Sequence, residues 1–449
     1  NLNSEPLEAE SASGCYEHLH QLFVTKNSVL CNEVQKNFRE LSHACPDAKD
    51  HIAQEDIPLP PRFQNVHDTA WPLFINSRDF LLMLDASLPV EPYDGPFFKR
   101  ADDGTLLRQI EGWGEEDTNL AYIPSEDSDD EKELEDDIHQ TNFATAANNP
   151  DGKSKSTQVK ESDTRREITY QVFRNEIWPK MIKNRKLNYH PTLVWMEIRS
   201  FIKGSAEALL TKDGYLTLEK YLELGRKRAP NFSDEDRKIV FELFQIFQRH
   251  RSSNRMFDES DLVFNLHCRL QESGAPEWSI HRIYVDETQD FTQAELSLII
   301  RCCRHPNDLF FTGDTAQSIM RGIAFRFSDL KSLFYHANNS RPLETRRGHV
   351  HVPDRLYQLI HNYRSHAGIL RLASSVVDLL LHFFPESFDR LEKDQGLFDG
   401  PKPVILESCS LPDLAMILRG NRRQTSRIEF GDDQVVLVAS EESRESIPE

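Results

Sequence analysis

The sequence predicts an α/β fold: a parallel sheet packed by helices and interrupted by a largely helical insertion. Three observations carry that prediction. Two short apolar runs, "HRIYVDE" and "DLFFTGD", each end in acids or glycine, and the helical stretch "TQAELSLIIRCC" lies between them. Such a strand–helix–strand order is the signature of parallel strands buried on both faces. A long block of helical periodicity, from "TYQVFRNEIWPKMI" to "EDRKIVFELFQIFQRHRS", precedes them, and strand-like runs return in "PVILES" (403–408) and "QVVLVAS" (434–440).

Taken in order, residues 1–16 are polar and read as disordered. Leu22–Thr25 reads as a strand, followed after a polar turn by an amphipathic helix. In that helix Val29, Leu30, Val34 and Phe38 recur at helical spacing, and Ser28 is the candidate cap. The proline-rich stretch 58–61 is a connector, and "WPLFINSRDFLLMLDASL" reads as one packed helix. These elements make residues 17–100 the first part of a lobe. Residues 101–166 are acidic, then rich in Asn, Ser and Lys, and are expected to be a disordered insertion. Residues 167–255 form the helical subdomain, 256–344 the rest of the first lobe, and 345–449 the start of a second α/β lobe.

Composition bounds the function. The 449 residues suffice for two or three domains. No apolar run approaches the roughly 20 residues needed to cross a bilayer, and no membrane partner is expected. The seven cysteines are odd in number and show no CxxC spacing, which argues against a zinc ribbon or a disulfide framework and for an intracellular setting. Nucleus or cytoplasm stays open. The net charge of −20 is unlike that of a nucleic-acid binder. Much of it, however, comes from one run, Glu126 to Asp137, where nine of twelve residues are acidic. Overall charge therefore does not test a local basic groove.

The chemistry-bearing residues sit at the ends of the two apolar runs. Open α/β sheets bind ligands beyond the carboxyl ends of their strands. Asp286 and Asp314 both fall there, 28 positions apart. A carboxylate after an apolar strand is how a magnesium–triphosphate is held. Glu287 beside it can orient or deprotonate a water. Gln317 is a neutral group suited to sensing a γ-phosphate. A single such Asp is more often a strand cap; two in this order weigh against that reading.

Here a family resemblance enters. "DETQD", "GDTAQSI" and "HNYRSH" resemble motifs II, III and IV of superfamily 1 helicases of the UvrD/Rep type, in order and spacing. "FVTKNSVLCNEV" resembles motif Ia, and "MFDESDLV" the acidic helix before motif II. Stretches such as "WPLFINSRDFLLMLD", "VWMEIRSFIKGS", "YLELGRKRAPNF" and "AFRFSDLKSLF" are similar to the helicase region of the TPR and ankyrin repeat-containing protein 1 family. The resemblance covers roughly residues 17–100 and 167–449. It implies a RecA-like P-loop NTPase sheet with an incomplete first lobe, a helical insertion and the start of a second RecA-like lobe. It also implies ATP and Mg²⁺ as cofactors and single-stranded nucleic acid as a partner. Protein partners stay unknown. By the resemblance Asp286 holds Mg²⁺ and Glu287 activates the hydrolytic water. Gln289 and Asp290 couple motif II to its surroundings, and Gln317 meets the γ-phosphate with Asp314 in support. Tyr363 stacks on adenine, and Arg364 reaches across as an arginine finger. Arg suits that role because its planar, permanently charged fork matches phosphate oxygens. Thr25, Ser28 and Phe325 are the candidate nucleic-acid contacts.

The sequence also departs from the family. Nothing matches GxxxxGK[ST]. Gly152-Lys153-Ser154 lacks the first glycine and follows no strand. The phosphate loop is expected upstream of Asn1 and motifs V and VI beyond residue 449, with weak or no turnover by this piece alone. Lys26 and Gly322 stand where the family places base-stacking aromatics. The basic stretches "GRKR" (225–228) and "RRGH" (346–349) are candidate phosphate contacts or solvated faces. Two functional readings follow: an ATP-dependent DNA or RNA helicase or translocase core, or a nucleotide-responsive switch without unwinding activity in a large interaction protein.

Overall fold

A computed structural model describes residues 19–44, 59–89, 96–107, 110, 165–183, 185, 187–273, 278–305, 307–318, 322–339, 351–353, 355–385, 389–404 and 437–438. The terminal stretch 1–16, most of the acidic insertion with Gly152–Ser154, "RRGH" and nearly all of 405–449 lie outside them. The strands expected in "PVILES" and "QVVLVAS" therefore lie outside as well, save residues 403–404 and 437–438.

The first sheet has four parallel strands: β1 (Gln21–Thr25), β2 (Leu73–Asn76), β3 (Arg282–Val285) and β4 (Leu309–Phe311), in the order β2-β1-β3-β4. In register, Leu22 faces Leu73 and Ile283, and Ile283 faces Leu309. Strand β2 corrects the single helix expected over "WPLFINSRDF…". Its alternating run pairs with β1, and Asn76 then caps helix α2 (Ser77–Ser87) by accepting from the Asp79 N–H at 2.9 Å. Helix α1 (Ser28–Ala44) follows β1 as expected, but Ser28 does not cap it. Asn27 does, accepting from the Leu30 N–H at 3.0 Å.

Side chains alternate across strands, so the sheet has two faces. On one, Leu22, Val24, Leu73, Ile75, Ile283 and Val285 form a closed core with α2, α7 (Glu259–Glu272) and α8 (Gln293–Cys302). On the other, an aromatic row runs Phe74, Phe23, Tyr284, Phe310, with Phe38 of α1 5.3 Å from Phe74. That face is only partly covered among the described residues: Phe310 is 59% exposed. Within the expected apolar stripe of α1, Val29 is 75% exposed, and Cys31 is the buried residue. Two fully buried faces were expected; one is.

Residues 96–107 also pack on this lobe, whereas the insertion was expected to begin at residue 101. Asp85 organises them. It accepts from the Phe97 N–H at 2.8 Å, from Arg100 at 3.1 Å and from Arg269 at 2.6 Å, and it is wholly buried.

The helical block has its own core, built on Phe173, Trp195, Phe244 and Phe247. It comprises α3 (residues 170–182), α4 (residues 191–202), α5 (Leu218–Arg228) and α6 (Asp234–Ser253). Both α3 and α4 contain a π-helical turn, Phe173–Ile177 and Glu197–Ile202. The wider turn in α4 sends successive side chains in different directions. Glu197 points inward to Arg237 (2.8 Å) and the Tyr221 hydroxyl (2.5 Å), while Arg199, Ser200 and Lys203 reach the first lobe.

A smaller strand–helix–strand unit comprises β5 (His361–Asn362), α10 (Ala367–Phe383) and β6 (Gln395–Gly396), the strands parallel. Helix α9 (Phe327–Asn339) precedes it. Glycines let its chain turns close up: the Ala367 and Gly368 N–H groups donate to the carbonyls of Phe398 (2.9 Å) and Asp399 (2.8 Å). Ile369, Leu372, Val376, Leu379 and Phe383 of α10 are exposed. No helix among the described residues is long and apolar enough to cross a membrane.

Candidate functional site

Strand β3 ends at Val285, and the next residue turns at the sheet's carboxyl edge. The Asp286 N–H donates to the Val24 carbonyl at 3.0 Å, which places motif II against the end of β1. Glu287 then adopts a left-handed conformation, φ 53° and ψ 47°. That region is disfavoured for a residue with a Cβ, and strained residues gather at functional sites. The reversal aims two adjacent carboxylates off the strand end and starts the short 3-10 turn Thr288–Asp290.

Motif III closes on this turn from the end of β4. The Thr288 N–H and hydroxyl both donate to the Thr312 carbonyl, at 2.9 and 2.7 Å. Buried Gln289 bridges the motifs: its Oε1 accepts from the Asp314 N–H at 3.0 Å and its Nε2 donates to Glu287. Gln289 thus links the ends of β3 and β4. Asp314 accepts from the Ala316 N–H at 2.9 Å and from the Gln317 amide at 2.8 Å. Gly313 makes the approach possible, since a Cβ there would lie 2.5 Å from the Thr288 hydroxyl and 2.6 Å from Gln289 Oε1. Sequence reasoning missed Thr288 and Gly313. The glycine in "TGD" was the available signal.

Asp286, Glu287, Asp314 and Gln317 therefore come together on one edge, with Gln289 beneath them. Asp286 and Glu287 are half-buried, and neither they nor Asp314 forms an ion pair with a Lys, Arg or His among the described residues. Two neighbouring carboxylates with open lone pairs and no cation of their own fit a hard divalent cation that completes its shell with water and phosphate oxygens. No cluster of three or more His, Cys, Asp or Glu forms an all-protein cage among the described residues.

Tyr363 and Arg364 follow β5. Tyr363 is 81% exposed, and Arg364 is exposed with its guanidinium unbonded among the described residues. Backbone N–H groups of Arg364 and Ser365 are held by the Asn362 side chain, at 2.9 and 2.8 Å. Among the described residues, no hydrogen bond or ion pair joins either side chain to motif II or III.

The nucleic-acid candidates fare differently. Thr25 is fully buried and Ser28 half-buried. Phe325 is buried edge-on to Phe327 at 5.3 Å, a core contact rather than a stacking platform. Lys26, one of the two positions expected to face a strand, is buried with Glu259 (2.8 Å), Glu295 and, through Glu259, Arg199. Burial alone would push the Lys26 ammonium down, but Glu259 and Glu295 outweigh it and hold its pKa above the ordinary value. Burial likewise opposes Glu259 ionisation, and Lys26 and Arg199 overcome that, holding it below the carboxylate range. At the other position, Gly322 has φ 87°, and a Cβ there would lie 2.7 Å from the Trp195 indole. Its carbonyl accepts from Ser200 at 2.5 Å. Helix α4 thus fills the space an aromatic would need. In "GRKR", Arg226 pairs with Asp234, Lys227 with Glu223, and Arg228 with Glu207 and Asp329. The stretch is neutralised.

Acids thus stand at two adjacent parallel strand ends, joined by a glutamine and a glycine. Residues 117–339 match the UvrD/REP helicase N-terminal domain. This stretch is similar to the UvrD/REP helicase family. The match takes in motifs II and III and the helical block; Tyr363 and Arg364 lie beyond it. Human TPR and ankyrin repeat-containing protein 1 is 51% identical over 434 residues, which is 96% of this chain and 14% of that protein. The chain thus spans about a seventh of the curated relative's length. Within the matched stretch the acids lie at the strand ends, and Gly322 makes an interior contact; Lys26, which precedes the match, is buried.

Proposed function

We propose that this chain carries the carboxylate half of an ATP·Mg²⁺ site of a superfamily 1 ATPase, in a RecA-like lobe. The observation that carries the reading is the pair Asp286 and Glu287 at the β3 end, half-buried and lacking a cation partner among the described residues. Asp286 would hold Mg²⁺, which supplies charge neutralisation at the phosphates. Glu287, fixed by Gln289, would accept a proton from the attacking water. Gln317, steadied by Asp314, would sense the terminal phosphate. Tyr363 would stack on adenine and Arg364 would approach the phosphates from the second lobe, so that hydrolysis reports on closure.

Hydrolysis of ATP by the full-length protein, with and without single-stranded polynucleotide, tests this reading. Mg²⁺-dependent turnover that Glu287→Gln abolishes is expected; unchanged turnover in that variant refutes the role of Glu287. A helicase or translocase should be stimulated by polynucleotide.

A second reading is favoured by Lys26 and Gly322: a nucleotide-responsive switch that does not unwind. Base stacking on an aromatic is worth roughly 1–3 kcal/mol per base, and neither position supplies one. Strand separation by the full-length protein would sink this alternative.

A further inference from the structure

Thr312 directly precedes the motif III glycine, and no role has been given to its side chain. Its backbone joins the two strand ends: the N–H donates to the Val285 carbonyl at 2.9 Å, and the carbonyl receives both donors of Thr288. The side chain is half-buried, and its hydroxyl donates to Asp286 Oδ1, with the Val285 carbonyl a more distant acceptor at 3.4 Å. The same oxygen accepts from the Glu287 N–H at 3.0 Å. Oδ1 therefore carries two donors, one from each motif. Oδ2 has no hydrogen-bond partner among the described residues.

We propose that Thr312 is a positioning residue that fixes which oxygen of Asp286 is presented to a divalent cation. A carboxylate free to rotate offers either oxygen in many orientations. Here one oxygen is anchored, so the other points in a single direction. The Thr288–Thr312 cross-link gives the anchor its rigidity, because Thr312 cannot shift without breaking the bonds that hold the Glu287 turn. Hydrogen bonds behind a metal ligand orient it, and their loss typically costs about 10–100-fold in metal affinity. The inference rests on the reading of Asp286 as the cation-holding group.

The test is a Mg²⁺ titration of fluorescent N-methylanthraniloyl-ATP binding to the full-length protein. Thr312→Val removes the hydroxyl and keeps the shape; it should raise the half-saturating Mg²⁺ concentration about tenfold, the low end of that range. Nucleotide binding without Mg²⁺ should not change. Thr312→Ser restores the donor and should return to within roughly twofold of the wild type. Thr312→Ala removes the same donor with less bulk and decides the matter if the valine variant folds poorly by circular dichroism. A wild-type Mg²⁺ dependence shared unchanged by the Val and Ala variants overturns the role of Thr312 and leaves the nucleotide site standing. So does a serine variant as impaired as the valine one. A wild type with no Mg²⁺-dependent nucleotide binding overturns both.

Discussion

Two acid clusters lie in the same lobe, and they are opposites. Glu259 and Glu295 face Lys26 and Arg199 in a cluster whose members are all buried. Each carboxylate there has its cation within the protein. Asp286, Glu287 and Asp314 lie at the sheet's carboxyl edge with backbone, amide and hydroxyl donors but no cation among the described residues. Both clusters draw on helicase-like sequence, "MFDESDLV" and "DETQD", and both look equally acidic on the page. The difference is that the first is electrically complete and the second is not. A buried, complete cluster holds elements in register; a half-buried, incomplete one has lone pairs open to an outside cation.

The comparison can be broken most severely at Lys26. Lys26→Met leaves Glu295 without a cation in the interior. Removing one partner of a buried ion pair typically costs about 3–5 kcal/mol. Denaturant unfolding should show that loss, and a loss under about 1 kcal/mol would mean the cluster is less buried or more wet than described.

Acid should act on the interior too. His267 of α7 is buried and both its ring nitrogens lack partners. Burial, with Arg301 adding to it, pushes its pKa from 6.5 down to about 4. The unfolded chain takes up a proton below pH 6.5, while the folded chain resists until about pH 4. The His267 contribution is therefore intact above pH 6.5 and is lost as pH falls toward 4. At 1.36 kcal/mol per pKa unit it amounts to about 3 kcal/mol. Stability measured from pH 7 to 4 should fall, and His267→Phe should flatten that part of the curve.

At the contact between α4 and the motif III loop, Gly322→Ala adds a Cβ against Trp195 in a left-handed backbone. A cost of about 2 kcal/mol is expected. A thermal midpoint equal to the wild type's would show that α4 is not seated there.

The mildest effect on stability belongs to the open cluster. Glu287→Gln keeps the shape and removes a charge that no protein cation balances, so its unfolding free energy should stay within about 0.5 kcal/mol of the wild type's. Its ATP turnover should fall about 10²–10⁴-fold, the usual contribution of a general base. A variant that instead unfolds would place Glu287 with Glu259 as structural.

How much was legible beforehand follows from the same contrast. Short-range signals were legible. Strands β1, β3 and β4 and helix α8 follow from apolar runs and their periods, and the acids at the strand ends follow from where those runs stop. Strand β2 was missed because "LFIN" runs straight into a helix with no turn residue between them, and only pairing with β1 distinguishes the two. Asn27, not Ser28, caps α1, a one-residue shift that turns on backbone geometry. Thr25 and Phe325, candidate nucleic-acid contacts, are buried, because polarity or aromaticity in a loop does not report burial.

The sequence by itself determined strands β1, β3 and β4, the order of the motifs and the identity of the acids, since these depend on neighbours along the chain. The tertiary structure decided which acids are neutralised. Lys26 meets Glu259 and Glu295 across more than 230 residues of chain, and Trp195 closes over Gly322 from another core. Charge compensation and steric exclusion fall off within a few ångströms, so they depend on distances in space that spacing along the chain does not encode.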